Sequence, residues 1–272
     1  MGKVPPKKPC KNELNDLKKS RVGTVYYDKR NKLMKIIEYN NNKDVTVEYI
    51  ETGGIKHTQY SNIIKGNVVD PFECIALGVG YFGNRINIDK IDKKIYSKWY
   101  GMLRRVYKPS SKEILYKDCI ICEEWKCFFN FQDWYKNELK KYSNKDIDEL
   151  DLEIDKDILY KNNRIYSPKY CCLVPKKLNL VFSHSCPPTE LPVGVKQEKN
   201  RYIARCTNQN GRNFLGSFLT IEEAFEAYKE CKEKYIKYLA TLYKDIIPAN
   251  IYKALIEYEV NIDDWRVIKN EK

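Results

Sequence analysis

Residues 194–228 read GVKQEKNRYIARCTNQNGRNFLGSFLTIEEAFEAY, and this stretch carries the strongest structural signal in the chain. Runs of strand-forming residues at 193–196, 201–206 and 212–218 are separated by polar turns of hairpin length. Thr220, followed three residues later by Glu223, forms a capping box, which marks the start of a helix. The stretch therefore predicts a three-stranded antiparallel sheet with one helix packed on it.

Alternation along the second run predicts which face of this sheet stays open. Ala204 and Cys206 point one way and Arg205 points the other, because successive strand residues face opposite sides. We expect the small Ala204 to meet the helix. The opposite face then collects cations, with Glu198 as the single acid between positions 194 and 216. On or around this face we place Lys196, Lys199, Arg201, Arg205 and Arg212.

The same residues resemble the APETALA2-type DNA-binding domain. The resemblance lies in Gly-Val at 194–195, the Ala-containing strand, Leu-Gly-x-Phe at 215–218 and a helix beginning Thr-Ile-Glu-Glu-Ala at 220–224. It implies a double-stranded DNA partner. Tyr202 and Phe214 stand where that family usually has tryptophan, and Arg205 replaces a commonly acidic residue, so no target sequence transfers. The groove-facing residues implied by the resemblance are Lys196, Arg201, Arg205, Arg212 and Phe214.

Charge and composition favour a polyanionic partner. The 272 residues include 49 Lys and Arg against 37 Asp and Glu, a formal net charge of +12. A surplus that serves only solubility is the alternative. We find neither a secretion signal nor an apolar run of the roughly 20 residues that a membrane-spanning helix needs. The ten cysteines are scattered, so we expect reduced thiols and a cytoplasmic protein, in the bacterial host cell if a bacteriophage encodes it.

The chain as a whole predicts an α+β fold with four parts. Residues 1–22 form a basic tail and residues 23–72 hold four strand-like runs, at 24–27, 33–39, 45–50 and 55–60, which favour a small SH3-like β-barrel. Such barrels bind peptides, nucleic acid or neither. Residues 73–185 form a helical and ββα-type region, and residues 190–272 hold the APETALA2-like domain and further helices.

Two amphipathic segments stand out in the middle region. Ile95, Trp99 and Met102 lie at helical spacing, which leaves Lys98, Arg104 and Arg105 towards the other side of a helix. A second helix is predicted from Glu123 to Leu139, with its aromatic residues in the core.

Residues 150–182 resemble in outline the ββα-metal motif of HNH endonucleases, which accompanies such domains in phage proteins. The resemblance implies a metal-dependent DNA nuclease whose histidine activates water. The chain has only His57 and His184, and both lie outside the motif. We therefore expect a degenerate scaffold retained for DNA binding; an active homing-type endonuclease and a protein that binds an acidic host factor remain alternatives.

The sequence contains two candidate metal sites. Asp155 and Asp157 on one strand would point the same way and could bind Mg²⁺, and with Asn163 they are the catalytic candidates. Cys119 and Cys122 have zinc-ligand spacing. A structural zinc is not favoured, because no second pair of this spacing completes four ligands; the other candidates are Cys127, Cys171, Cys172 and His184.

Overall fold

The computed structural model describes residues 16, 20–84, 91–110, 116, 118–142, 151–182 and 190–264, and most of the predicted basic tail lies outside them. The fold is mixed α+β. It divides into two compact units, one of residues 1–103 with 123–132 and one of residues 104–122 with 133–272. None of the described helices combines the length and apolar character needed to cross a membrane.

The first unit is built on a four-stranded antiparallel sheet in the order β1-β2-β3-β4. The strands match the four predicted runs closely, and a short helix follows the last one. Met34, Val47 and Ile63 lie at the centre of its core, which includes residues from two strands and the helix. The elements are β1 (Val25–Tyr27), β2 (Leu33–Asn41), β3 (Asp44–Tyr49), β4 (Ile55–Thr58) and α1 (Tyr60–Ile64).

The predicted SH3-like barrel does not close in the part of the chain that the structure describes. β1 and β4 are the two edges of the sheet and do not pair with each other. A sheet can bury one face either by closing on itself or by accepting another element. Here the chain turns from β4 into α1, whose Ile63 packs into the core.

The predicted middle helix is present as α2 (Lys93–Tyr107), with Ile95, Trp99 and Met102 buried. The indole Nε1 of Trp99 donates to the carbonyl of Trp125 at 2.7 Å. Arg105 departs from the prediction, because its guanidinium lies 5.6 Å from the ring centre of Tyr116. Arg105 is therefore half-buried rather than part of an open basic face.

The second predicted middle helix forms as two helices, α3 (Glu123–Lys126) and α4 (Phe128–Leu139). Between them, Tyr81 pairs with the chain at Cys127 in a parallel bridge. The amide of Tyr81 donates to the carbonyl of Lys126 at 3.0 Å, and the amide of Phe128 donates to the carbonyl of Tyr81 at 2.8 Å. These backbone contacts interrupt the helix.

The ββα order predicted for residues 150–182 is present in the second unit. β6 pairs antiparallel with β8, and a helix follows at once. A parallel pair joins β5 to β7. The elements are β5 (Ile120–Ile121), β6 (Leu152–Asp155), β7 (Ile165–Tyr166), β8 (Cys172–Pro175) and α5 (Lys176–Phe182).

The predicted C-terminal sheet and helix are confirmed. The sheet is antiparallel, in the order β11-β10-β9, and the helix begins with the predicted capping box. The hydroxyl of Thr220 accepts from the amide of Glu223 at 3.2 Å, and the Glu223 carboxylate accepts from the amide of Thr220 at 3.3 Å. The elements are β9 (Val195–Glu198), β10 (Arg201–Asn208), β11 (Gly211–Phe218), α6 (Ile221–Leu242) and α7 (Ala249–Ile256).

Hydrogen bonds tie the ββα segment to the C-terminal sheet and helices within the second unit. Lys232 of α6 donates to the carbonyl of Val181 in α5 at 2.7 Å. Lys161 pairs with the buried Asp264 at 2.7 Å and donates to the carbonyl of Glu259 at 2.5 Å. The ββα segment and the C-terminal elements therefore belong to one compact unit.

The close approach of α6 to the sheet depends on Gly194. Its φ is +84°, and a Cβ there would lie 2.0 Å from the Tyr228 ring. We expect Gly194→Ala to lower the free energy of unfolding by about 3 kcal/mol, because it adds steric overlap to backbone strain. Chemical denaturation would measure this.

Gly211→Ala is the matched control, because Gly211 has a φ of +96° and open space around its would-be Cβ. It should cost only the backbone strain, about 1 to 2 kcal/mol. Equal losses for the two variants would contradict the packing argument.

Candidate nucleic-acid interface

Strand register places most of the predicted cations on one face of the C-terminal sheet. Directly opposed residues of neighbouring antiparallel strands share a face. Arg201 is opposed by Glu198, Arg205 by Phe214 and Thr207 by Arg212. Ile203, between Arg201 and Arg205 on the same face, is opposed by Lys196. We call this the open face, and its charged residues are Lys196, Glu198, Arg201, Arg205 and Arg212.

The other face of the sheet packs against α6. Ala204 and Cys206 are 0 % and 2 % exposed, and Tyr228 of the helix is 4 % exposed. The expectation that Ala204 meets the helix is confirmed. Because this face belongs to the core, the long charged side chains of β10 have only the opposite face available.

Phe214 reaches the open face through a β-bulge. Register shifts between Ala204 and Arg205, so that Ala204 pairs with Gly216 while Arg205 pairs with Phe214, and Leu215 is the extra residue. Without the bulge, strict alternation would put Phe214 on the same face as Phe218, towards the helix. Phe214 is instead 63 % exposed beside Arg205.

Few interactions on the open face hold its cations. Lys196 lies 3.6 Å from Glu198, and both side chains are largely solvated. Such an exposed pair contributes little and dissociates readily. Arg201 donates from Nε to the hydroxyl of Ser217 at 3.3 Å. Arg205 and Arg212 are exposed.

Two residues extend the predicted set or lie at its margin. Lys199 lies in the turn between β9 and β10 with a φ of +52°, at the end of the sheet rather than on a strand. Ser217 was not predicted; it lies opposite Ile203 and therefore on the open face. Because of the bulge at Leu215, Phe214 and Ser217 share a face although they are three residues apart, which strict alternation does not predict.

Asp155 is a buried turn residue at the end of β6. Its Oδ1 accepts from the amides of Asp157 and Ile158 at 2.8 and 2.7 Å. Burial, with a smaller effect from the charge of Asp157, raises the pKa of Asp155 to about 6. The strand ends at Asp155, so Asp157 lies in the following turn and the two carboxylates do not share a strand face.

Asp157 and Asn163 bond within the same loop. The Nζ of the buried Lys156 donates to the Asp157 carboxylate at 2.7 Å and to the carbonyl of Asn163 at 2.9 Å. The Asn163 amide donates to the carbonyls of Lys156 and Ile165 at 3.0 and 2.8 Å. The three catalytic candidates thus participate in a hydrogen-bond network that stabilises the loop.

Among the described residues, no group of three or more His, Cys, Asp or Glu side chains is arranged to hold a metal ion. His184, a zinc candidate, lies outside the described residues. Burial raises the pKa of the Cys119, Cys171 and Cys172 thiols. Metal ligation requires the thiolate, which this burial disfavours.

Comparison with protein-family models, curated proteins and solved structures finds no match to this chain. The candidate interface therefore rests on the geometry and charges described above.

The raised pKa of Asp155 predicts a pH-dependent stability. Because the folded-state pKa of about 6 exceeds the ordinary value of 3.8, Asp155 stabilises the fold fully below pH 3.8, and this contribution is lost as the pH rises through about 6. Asp155→Asn keeps the acceptor oxygen without ionising. We expect the free energy of unfolding of this variant to match that of the wild type at about pH 4. At neutral pH we expect it to be higher than that of the wild type by roughly 1 to 3 kcal/mol.

Denaturant unfolding across this pH range would measure the difference. The control is Asp118→Asn, which removes an exposed carboxylate outside the Asp155 loop. An Asp155→Asn variant that follows the wild type at every pH would contradict the burial of a charged Asp155.

Proposed function

We propose that the chain binds double-stranded DNA through the open face of its C-terminal sheet. The observation that carries this proposal is that Lys196, Arg201, Arg205 and Arg212 share one face whose opposite side is packed on α6. Glu198 is the one acid in this set. A face with this excess of positive charge complements phosphate groups.

The dimensions of the sheet suit the major groove. Three strands at about 4.8 Å spacing are about 10 Å wide, and the groove is about 12 Å wide. The eight residues of β10 extend about 27 Å along the sheet. The outer cations would hold the backbone.

Arg205 and Phe214 are the candidates for contact with bases. They oppose each other near the middle of the open face, on the central strand and on β11. An arginine can donate two hydrogen bonds to guanine, and an aromatic ring can contact the thymine methyl group. These two residues would provide sequence preference, whereas Lys196 and Arg212 would provide affinity.

The ββα segment fits best as a scaffold in this proposal. Asp155, Asp157 and Asn163 all bond within their loop, and Lys161 and Lys232 attach the segment to the C-terminal elements. We therefore propose a modular DNA-binding protein of the bacteriophage type, acting in the host cytoplasm, whose HNH-like part supports the DNA-binding sheet.

Arg205→Ala combined with Arg212→Ala tests the open face. Each lost phosphate contact lowers the slope of log affinity against log salt by about 0.9. We expect the double variant to lower the slope by up to about 2, less if Arg205 contacts bases, and to weaken binding at every salt concentration. Fluorescence anisotropy with labelled duplexes at several salt concentrations would measure both effects.

Lys237→Ala combined with Lys253→Ala is the matched control, because it removes two charges from α6 and α7. It should leave the slope nearly as in the wild type. An unchanged slope in the arginine variant, or no duplex binding at low salt, would contradict the proposal; the latter would favour an acidic protein partner.

A metal-dependent endonuclease is the second candidate, because the strand, loop, strand and helix order is present and Asp155, with its raised pKa, ends the first strand. Supercoiled plasmid incubated with Mg²⁺ or Mn²⁺ tests it. This candidate requires a nicked product that Asp157→Ala abolishes and Asp118→Ala preserves. Absence of nicking with either metal argues for binding without cleavage.

A further inference from the structure

The outward face of α2 is a cationic surface in the first compact unit. Ser97, Lys98 and Gly101 lie three, four and seven residues after Lys94, so the four residues share one face of the helix. We call these four residues the outer α2 face. The opposite side is anchored in the core by Ile95, Trp99, Met102 and Leu103.

The two ionisable residues of this face are both lysines. Lys94 and the adjacent Lys93 are exposed, and Lys98 is half-buried. Asp92, two residues before Lys94, caps the helix: its Oδ1 accepts from the amides of Lys94 and Ile95 at 2.9 and 3.1 Å. Its carboxylate therefore faces the helix start.

Gly101 leaves a gap at the C-terminal end of this face. A Cβ at Gly101 would meet nothing within 4 Å, whereas a Cβ at Gly80 would lie 2.7 Å from Trp99. Glycine inside a helix is less stable than alanine. Packing among the described residues gives no reason for a glycine here, but the close approach of a ligand backbone would.

We propose that the outer α2 face binds the sugar-phosphate backbone of duplex DNA. Lys94 and Lys98 neutralise phosphates, and the Ser97 hydroxyl donates to a phosphate oxygen. Gly101 lets the DNA backbone come close to the helix. The inference rests on the proposed function for the identity of the ligand and adds a second, sequence-independent contact outside the C-terminal sheet.

The test compares the full-length wild type with two double variants, by anisotropy on labelled random-sequence duplexes at several salt concentrations. Lys94→Ala combined with Lys98→Ala should lower the salt slope by about 2. Lys56→Ala combined with Lys65→Ala removes two exposed lysines elsewhere in the same unit and should leave the slope nearly unchanged.

The arginine variant of the C-terminal sheet distinguishes the two proposals. If the Arg205 and Arg212 variant lowers the slope and the Lys94 and Lys98 variant matches its control, the outer α2 face is not a DNA contact and the proposed function stands. If only the Lys94 and Lys98 variant lowers the slope, the inference stands and the C-terminal face is not the DNA contact. If both double variants lower the slope, the C-terminal face and the outer α2 face are both DNA contacts.

Gly101 provides a readout that separates folding from binding. Gly101→Ala should raise the thermal midpoint by about 2 to 4 °C, because alanine favours the helix and meets no atom. Gly101→Gln should weaken duplex binding by about tenfold while the protein stays folded, because its side chain would occupy the approach to the helix backbone. Wild-type affinity in Gly101→Gln would overturn the close approach.

Discussion

The packing of α6 on the C-terminal sheet is the contact on which the rest of this region depends. Ala204 is fully buried beneath the helix, and Gly194 allows Tyr228 to come close to the sheet. Once this face is part of the core, a charged side chain on β10 can reach water only from the other side. Burial of small residues therefore determines where Arg201 and Arg205 lie, and with them the proposed DNA contact.

The same unit contains a polar loop whose bonding is internal. Asp155 accepts from two backbone amides, and Lys156 pairs with Asp157 although the lysine is only 9 % exposed. Buried charges of this kind require partners, because unpaired ones are costly to remove from water. The side chains are thus already engaged in the fold, which agrees with a supporting role for the segment beside the proposed DNA-binding sheet.

Local sequence patterns predicted much of the fold. The four N-terminal strands, the C-terminal sheet and the Thr220 capping box follow from alternation, turn residues and a four-residue signature, all of which act between near neighbours. The sequence also showed that Glu198 is the single acid among several cations between positions 194 and 216.

Tertiary contacts decided the remaining features. The sheet stays open and Ile63 of α1 packs into its core, and the helix predicted to start at Glu123 is interrupted where Tyr81 pairs with the backbone at Cys127. The bulge at Leu215 moves Phe214 to the open face. The sequence by itself determined the types of element and the positions of charge, because these depend on neighbours along the chain. Closure, interruption and register depend on residues distant in sequence, so only the folded structure could decide them.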